Sequence, residues 1–272
     1  MAGGIVQDIF LMNAVSLFTA WATLLTMAAH AAPTLDKATI TYIQNDVAVA
    51  DIKLLSLEGG KVKKVNAALN QPITKENAVV TGDKSRAELK FNDGTVARLG
   101  QFTVFSFKEG TRDIDLKQGS TLLNVPKGLG RTNIKAAAVT AAITGTTVLV
   151  QTFGNFGAIY VYEGSVEYPG PPVTVLGPGD VLIVEDGKFR VEKFDIAQGV
   201  QTAGLFTKFT ASPNNGPFTL EQILSLIAQD LGVNFPDNFD DNQKVDAILN
   251  RLIEVQIEDE RNQEPFDPYL LF

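Results

Sequence analysis

The chain has 272 residues and a formal net charge of −8, a field that repels phosphate backbones and argues against nucleic acid as a partner. It has no cysteine, and its one histidine, His30, sits in an apolar N-terminal segment. With that segment removed no imidazole or thiol remains, which excludes Ser-His-Asp and Cys-His sites, zinc held by Cys or His, and His-ligated haem; carboxylate pairs, calcium held by oxygens and lysine nucleophiles survive.

From Ala14 to Ala29 there is no charge, and Leu17, Phe18, Trp21, Leu24, Leu25 and Met27 lead into Ala29-His30-Ala31, a small-x-small pattern. This predicts a secretory signal peptide over residues 1–31, cleaved after Ala31. The first eleven residues hold Asp8 and no Lys or Arg, so Met12 is an alternative start. The competing reading is an uncleaved anchor, because Ile9 to Pro33 is just long enough to span a bilayer. Membrane contact is expected only in that case.

Residues 38–49 are rich in β-branched side chains with partial alternation and predict an opening strand pair. Residues 51–72 are mixed in character. Residues 81–100 then form a hairpin signal, with Asn92-Asp93-Gly94 set between two alternating runs. A two-residue loop would oppose Leu89 to Arg98 and put a charge on the apolar face. A three-residue loop with Gly94 at positive φ instead faces Phe91 to Thr95, Leu89 to Ala97 and Ala87 to Leu99. On the other face Glu88 lies opposite Arg98, with Arg86 two residues along its strand, so one carboxylate is expected between two guanidinium groups. A structural clamp is the expected role, and ligand binding by the Arg pair is the alternative.

From Val79 to about Phe194 glycines recur at short intervals, which leaves short strands and predicts an all-β body. A weak strand–Gly–strand repeat at Gly119, Gly164 and Gly179 suggests turns at sheet corners. It leaves a β-solenoid or roll and a two-sheet sandwich both open. Ala136 to Val150 is Ala-rich, but Thr140, Ile143, Thr144, Thr146, Thr147 and Val148 with Gly145 favour strand. Gly128-Leu-Gly130 lacks the context of a phosphate loop and reads as a turn. Val175 to Gly187 has the Gly-Asp turns of cupin barrels without their His ligands, so no metal is expected there.

Residues 208–218 read as a linker by composition. Thr219 opens a helix with Leu220, Ile223, Leu224, Ile227 and Leu231 on one face, ended by Gly232. A second helix from about Asn242 to Glu254, capped by Asp240 or Asp241, carries Val245, Ile248, Leu249, Leu252 and Ile253. Residues 219–257 thus form a helical hairpin, expected to pack on itself and on the β body, with partner binding as the alternative. Asp237 to Asn242 has calcium-friendly oxygens, but helix capping explains it better. Residues 258–272 are an acidic run followed by an apolar tail from Pro265 to Phe272, which either docks on the body or is presented to an envelope protein.

Val79-Val-Thr-Gly82, Ser85 to Leu89, Asp93-Gly94, Arg98-Leu-Gly100, Leu116 to Gly119 with Leu122, Val125-Pro-Lys127 and Ala142 to Thr147 together resemble the FecR family, over about residues 38–194. Its motif falls here on Thr81, Gly82, Ser85, Arg86, Glu88, Leu89, Asp93, Gly94, Arg98, Leu99, Gly100, Gly119, Pro126, Gly145 and Thr146, which are read as the frame of the fold. The resemblance implies an extracytoplasmic β domain, here residues 38–207. In signalling members such a domain relays occupancy of an outer-membrane transporter to an anti-sigma segment and a sigma factor. Only about a dozen residues precede the apolar segment, so the expectation is a periplasmic or secreted FecR-like domain without that anti-sigma region.

The expected function is a non-catalytic envelope binding or sensory module that contacts a protein or glycan, with no catalytic residue, cofactor or metal. Two alternatives stand beside it: a self-associating cell-surface protein, and a carboxylate-based glycan hydrolase.

Overall fold

The computed structural model describes residues 33–52, 64–236 and 238–262. The N-terminal signal or anchor segment, the alternative start at Met12 and the apolar tail 265–272 lie outside the described residues. No helix among the described residues is long and apolar enough to cross a membrane.

The body is one large, mostly antiparallel sheet with small helices at its C-terminal end, as the all-β reading expects. Its strands are β1 (Ala38–Gln44), β2 (Val47–Asp51), β3 (Lys64–Asn66), β4 (Pro72–Ile73), β5 (Asn77–Thr81), β6 (Arg86–Phe91), β7 (Val96–Leu99) and β8 (Val104–Lys108). Three long strands follow with shorter ones between and after them: β9 (Asp113–Val125), β10 (Thr132–Ala136), β11 (Thr140–Phe153), β12 (Phe156–Tyr168), β13 (Thr174–Leu176), β14 (Asp180–Glu185) and β15 (Lys188–Lys193). Among the described residues only β9 and β10 run parallel. The sheet order is β15-β14-β12-β11-β10-β9-β7-β6-β1-β4, with β2, β3, β5 and β8 as a side branch, so one continuous hydrogen-bonded sheet makes up the body.

The long strands bend, and their glycines explain how. Gly119, Gly145 and Gly164 lie inside β9, β11 and β12 at φ +96°, +55° and +82°. Sequence reading predicts turns at Gly119 and Gly164; the strands instead continue through both, and only Gly179 sits in a turn. Each bend switches which alternate residues face inward. In β9 the core residues are Ile114 and Leu116 before the bend and Leu123 and Val125 after it. In β11 they are Ala141 and Ile143, then Val148 and Val150; in β12, Ile159 and Val161, then Val166. An unbroken period of two would turn half of each strand inside out, so the extra residue lets one strand serve two limbs of a folded sheet around one core. The first half of β9 pairs with β8 and its second half with β7.

The opening strands are found, but they do not pair with each other. β1 pairs with β4 and β6, whereas β2 pairs with β3 and β5. A corner separates them, with Asn45 at φ +59° and its Nδ2 donating to Lys84 O at 2.8 Å. The Asp46 N–H donates to Ser85 Oγ at 3.0 Å, and the Gly82 N–H to Asp46 O at 2.9 Å. Two chain segments therefore turn the same corner together. The Ala-rich segment is strand as expected, split between β10 and β11 by a tight reversal in which Ala136 and Val139 exchange both backbone bonds, at 2.8 and 3.1 Å.

The outer face of the bent sheet carries Val96, Leu122, Leu149 and Tyr162, and the C-terminal segment covers it. Helix α1 (Ile196–Thr202) is capped by Asp195, whose carboxylate accepts from the Gln198 N–H at 2.8 Å. Helix α2 (Gly204–Thr207) follows directly, so the span expected to stay β up to residue 207 ends in two short helices. Residues 208–218, a linker by composition, are packed: Phe209 is wholly buried and Phe218 nearly so, the latter in a short 3₁₀ turn over Gly216–Phe218. Composition misleads here because Asn, Ser, Pro and Gly serve a polar network as well as they serve solvent.

Helix α3 (Leu220–Leu231) starts where predicted, with Thr219 Oγ1 accepting from the Gln222 N–H at 3.2 Å, and Gly232 at φ +67° ends it. Its Ile223, Leu224 and Ile227 are buried with Ile248 of α4 (Asp241–Asn262), which runs further than predicted. Asp240 caps α4 reciprocally with Gln243: each backbone N–H donates to the other's side chain at 2.9 Å. That arrangement uses the Asp240 carboxylate as a helix cap. The strands, helices and connecting segments from Pro33 onward belong to one unit.

Candidate functional site

The hairpin has the register expected for a three-residue loop. Glu88 opposes Arg98, Leu89 opposes Ala97 and Ala87 opposes Leu99, and Gly94 sits at φ +90°. Phe91 N–H donates to Thr95 O at 2.8 Å and closes the loop. Leu89 and Leu99 face the core, and Pro126 packs near Gly94.

Glu88 and Arg98 form a wholly buried ion pair, Nε to Oε2 at 2.9 Å. The other carboxylate oxygen, Oε1, accepts from Thr41 Oγ1 at 2.8 Å, Ser212 Oγ at 2.6 Å and Asn214 Nδ2 at 2.7 Å. Thr41 is the residue skipped in the β1–β6 register, and that bulge places its hydroxyl beside Glu88. The Arg98 guanidinium donates from Nη1 to Leu205 O at 3.1 Å and from Nη2 to Asn215 Oδ1, and it lies over the rings of Phe209 and Phe218 at 4.7 and 4.0 Å. Burial by itself would push the Glu88 carboxyl up. The donors from Asn214, Ser212, Arg98 and Thr41 outweigh it and hold the group below its ordinary range. A carboxylate held this way is a fixed acceptor and cannot lend a proton. The hairpin thus fastens the C-terminal cap to the sheet.

Arg86 does not take the place expected for it. Its Nη1 donates to Gln44 Oε1 at 3.1 Å, and no ion pair joins it to Glu88. Ser212 and Asn214 fill that side of the carboxylate, and uncharged donors crowd more closely round a buried oxygen than a second guanidinium can.

Asp93 makes a second buried pair with Arg112, at 2.7 Å, while its Oδ1 accepts from the Thr95 N–H at 2.8 Å. Arg112 also donates to Pro33 O and Thr132 Oγ1, at 2.7 and 2.9 Å. The remaining motif residues mark corners. Thr81 Oγ1 donates to Gly100 O at 2.5 Å and accepts from the Thr103 N–H at 2.8 Å. Gly100 N–H donates to Ser120 O at 2.9 Å, and Thr146 Oγ1 donates to Ser165 O at 3.1 Å. Sequence reasoning missed Arg112, Ser212, Asn214 and Asn215. The last three lie more than a hundred residues from their partners in the chain, and no local pattern signals such a contact.

A third polar cluster lies beside the cap. Glu163, almost wholly buried, and Asp230 of α3 both reach Lys127 Nζ, at 3.3 and 2.6 Å. Burial pushes the Glu163 carboxyl up, and Lys127 offsets only part of this. With a folded pKa above the unfolded value of 4.5, the folded state holds this proton more tightly, so stability falls as pH rises from the unfolded toward the folded value. Glu163→Gln removes that slope. Thermal melts between pH 4 and 8 should show the variant gaining on the parent as pH rises, and a constant difference would refute the assignment. The two carboxylates have a fixed ammonium between them where a glycosidase would hold substrate or water. Among the described residues no cluster of three or more His, Cys, Asp or Glu side chains is placed to hold a metal ion.

Comparison with known proteins places this hairpin and its bent strands. Residues 77–167 match the family model described as FecR protein. That is narrower than the 38–194 expected and leaves β1–β4 and β13–β15 outside. No curated protein matches the chain. Two crystal structures from Parabacteroides distasonis, each described as a "putative anti-sigma factor", are similar in part. One is 21% identical with a TM-score of 0.40, and the match covers 46% of this chain and 62% of that one, less than two thirds of its length. The other is 16% identical with a TM-score of 0.39, covering 60% of this chain and 95% of that one. The stretch that matches the FecR model therefore runs from β5 through β12, about a third of the chain.

Proposed function

We propose that this chain is a non-catalytic binding or sensory module of the bacterial cell envelope, periplasmic or secreted, which acts in signal relay through contact with a protein or glycan. The FecR match over residues 77–167 carries the reading. The geometry supports it in two ways. The most elaborate polar site, around Glu88 and Arg98, is occupied by the protein's own groups. Glu163 and Asp230 are likewise committed to Lys127. What the buried charges do is lock a cap onto a sheet, a use suited to a module that presents a shaped surface.

The test is made in the producing cell. A strain lacking the chain should change a small, defined set of transcripts, and photo-crosslinkers on the cap should join the chain to one envelope partner that then binds the purified protein. Unchanged transcripts together with no partner retained in purified form would overturn the proposal.

One observation favours self-association as a second reading. Val173 and Val175, around β13, and Val191 of β15 are exposed near the end of the sheet, where, among the described residues, β15 pairs with β14 alone. A strictly monomeric protein at high concentration in sedimentation would remove it.

A further inference from the structure

A cleft of about 380 Å³ opens where the hairpin meets β9, β11 and the start of α2, and its charge is of one sign. Lys84, Arg86 and Lys208 line it, with no Asp or Glu among the lining residues. Among the described residues none of these cations has a carboxylate within ion-pair distance, although the chain as a whole carries a formal charge of −8. Two other clefts show the ordinary arrangement. One mixes Lys75, Lys108 and Lys135 with Glu76, Asp113 and Asp115; the other holds Lys127 against Glu163.

The cations also converge. A methyl group built on Gly204 would lie 3.7 Å from Arg86 Nη2 and 3.6 Å from Lys208 Cδ, so both side chains crowd the same glycine. Arg86 is held there by Gln44, which accepts from Nη1 at 3.1 Å, while Nη2 lies beside Gly204, another residue of the cleft wall. The Lys84 backbone is pinned from both sides, its N–H donating to Gln101 Oε1 at 3.2 Å and its carbonyl accepting from Asn45 Nδ2 at 2.8 Å. Gln101, Gln151 and Ser120 add neutral donors to the wall, and Leu149 and Leu205 make an apolar floor. Like charges brought together without a counter-charge cost stability. Donors in this arrangement match an oxyanion, with Arg as a planar fork and the lysines as point charges.

We propose that this cleft binds a small multivalent oxyanion, a phosphate ester or a polycarboxylate, against Arg86, Lys84 and Lys208. The volume suits one small molecule and the floor accepts a short carbon skeleton. The site deepens the binding or sensory reading by giving it a ligand class, and it stands on geometry independent of the family match.

The experiment is calorimetric titration of the full chain with inorganic pyrophosphate and, separately, with tricarballylate, against chloride at equal ionic strength. Binding of one molecule per chain is expected for at least one probe, and the stronger of the two identifies the source chemistry. Arg86→Gln and Lys208→Gln should each raise Kd by about tenfold or more, and their combination should abolish binding. Lys188→Gln, far along the sheet on β15, should change nothing. Without probe, the two cleft variants should melt no lower than the parent, because they relieve repulsion; a structural role for these cations would lower both melts. Absence of binding to either probe above the chloride control, or an unchanged Kd in the double variant, overturns the proposal. Such a failure leaves the transcript and crosslinking tests of function untouched, and their failure leaves this site standing.

Discussion

Glu88→Ala is expected to destabilise the protein by about 3–5 kcal/mol, because it strands the Arg98 guanidinium in a wholly buried position and orphans Thr41, Ser212 and Asn214 at once. Arg98→Ala should cost a similar amount. The two losses should not add, since each removes the same pair, and a double-mutant cycle by urea denaturation should show coupling of about 0.5–3 kcal/mol. An apolar replacement of both, Glu88→Leu with Arg98→Met, removes the desolvation penalty but leaves Thr41, Ser212 and Asn214 without their acceptor, and the Leu205 carbonyl and Asn215 without their donor. It should stay below the parent by about 1–3 kcal/mol. Additive single losses, or a double replacement as stable as the parent, would show that the pair does not fasten the cap. The pH dependence has a definite sign. The folded Glu88 carboxyl lies below its ordinary 4.5, so its stabilisation is present above that value and lost as pH falls from it toward the folded pKa. Acid titration of the parent should show this loss, and Glu88→Gln should lack it.

Gly164→Ala should be the second large effect. At φ +82° an L side chain is strained by about 1–2 kcal/mol. Its Cβ would lie 2.8 Å from Thr146 Cα and still closer to the Gly145 carbonyl oxygen, where backbone must move in a packed strand pair. Overpacking of this kind adds about 1–3 kcal/mol, for a total of about 2–5 kcal/mol. Gly187→Ala is the control. It shares a positive φ of +75° but meets nothing within 4 Å, so only the conformational cost of about 1–2 kcal/mol applies. Equal losses at the two positions, read from thermal melts, would mean that the close approach of β11 and β12 at this bend carries no energy.

Much of this protein is written locally. The period of two in residues 86–99 and the Asn92-Asp93-Gly94 signal were enough for the hairpin register, because a shift by one residue would put Arg98 on the apolar face. Thr219, Asp240 and Gly232 marked the ends of the helices for the same kind of reason: a cap is satisfied within four residues of chain. The glycine bends were visible as glycines and misread as turns. An isolated positive-φ residue closes a hairpin or kinks a continuing strand equally well, and the choice depends on which strand lies alongside.

What the chain by itself determined is the set of elements, the three-residue hairpin and the apolar faces, since each follows from short-range sterics and from hydrophobic periodicity. Tertiary structure alone decided three things. The C-terminal segment lies across the outer face, Glu88 takes Ser212 and Asn214 where a second arginine was expected, and Arg86 bonds to Gln44 and lies beside Gly204. In each case the partners are far apart in sequence. Only burial of Phe209, Phe218 and the α3 stripe against the sheet brings them together, and a buried charge then takes whichever donors that packing delivers.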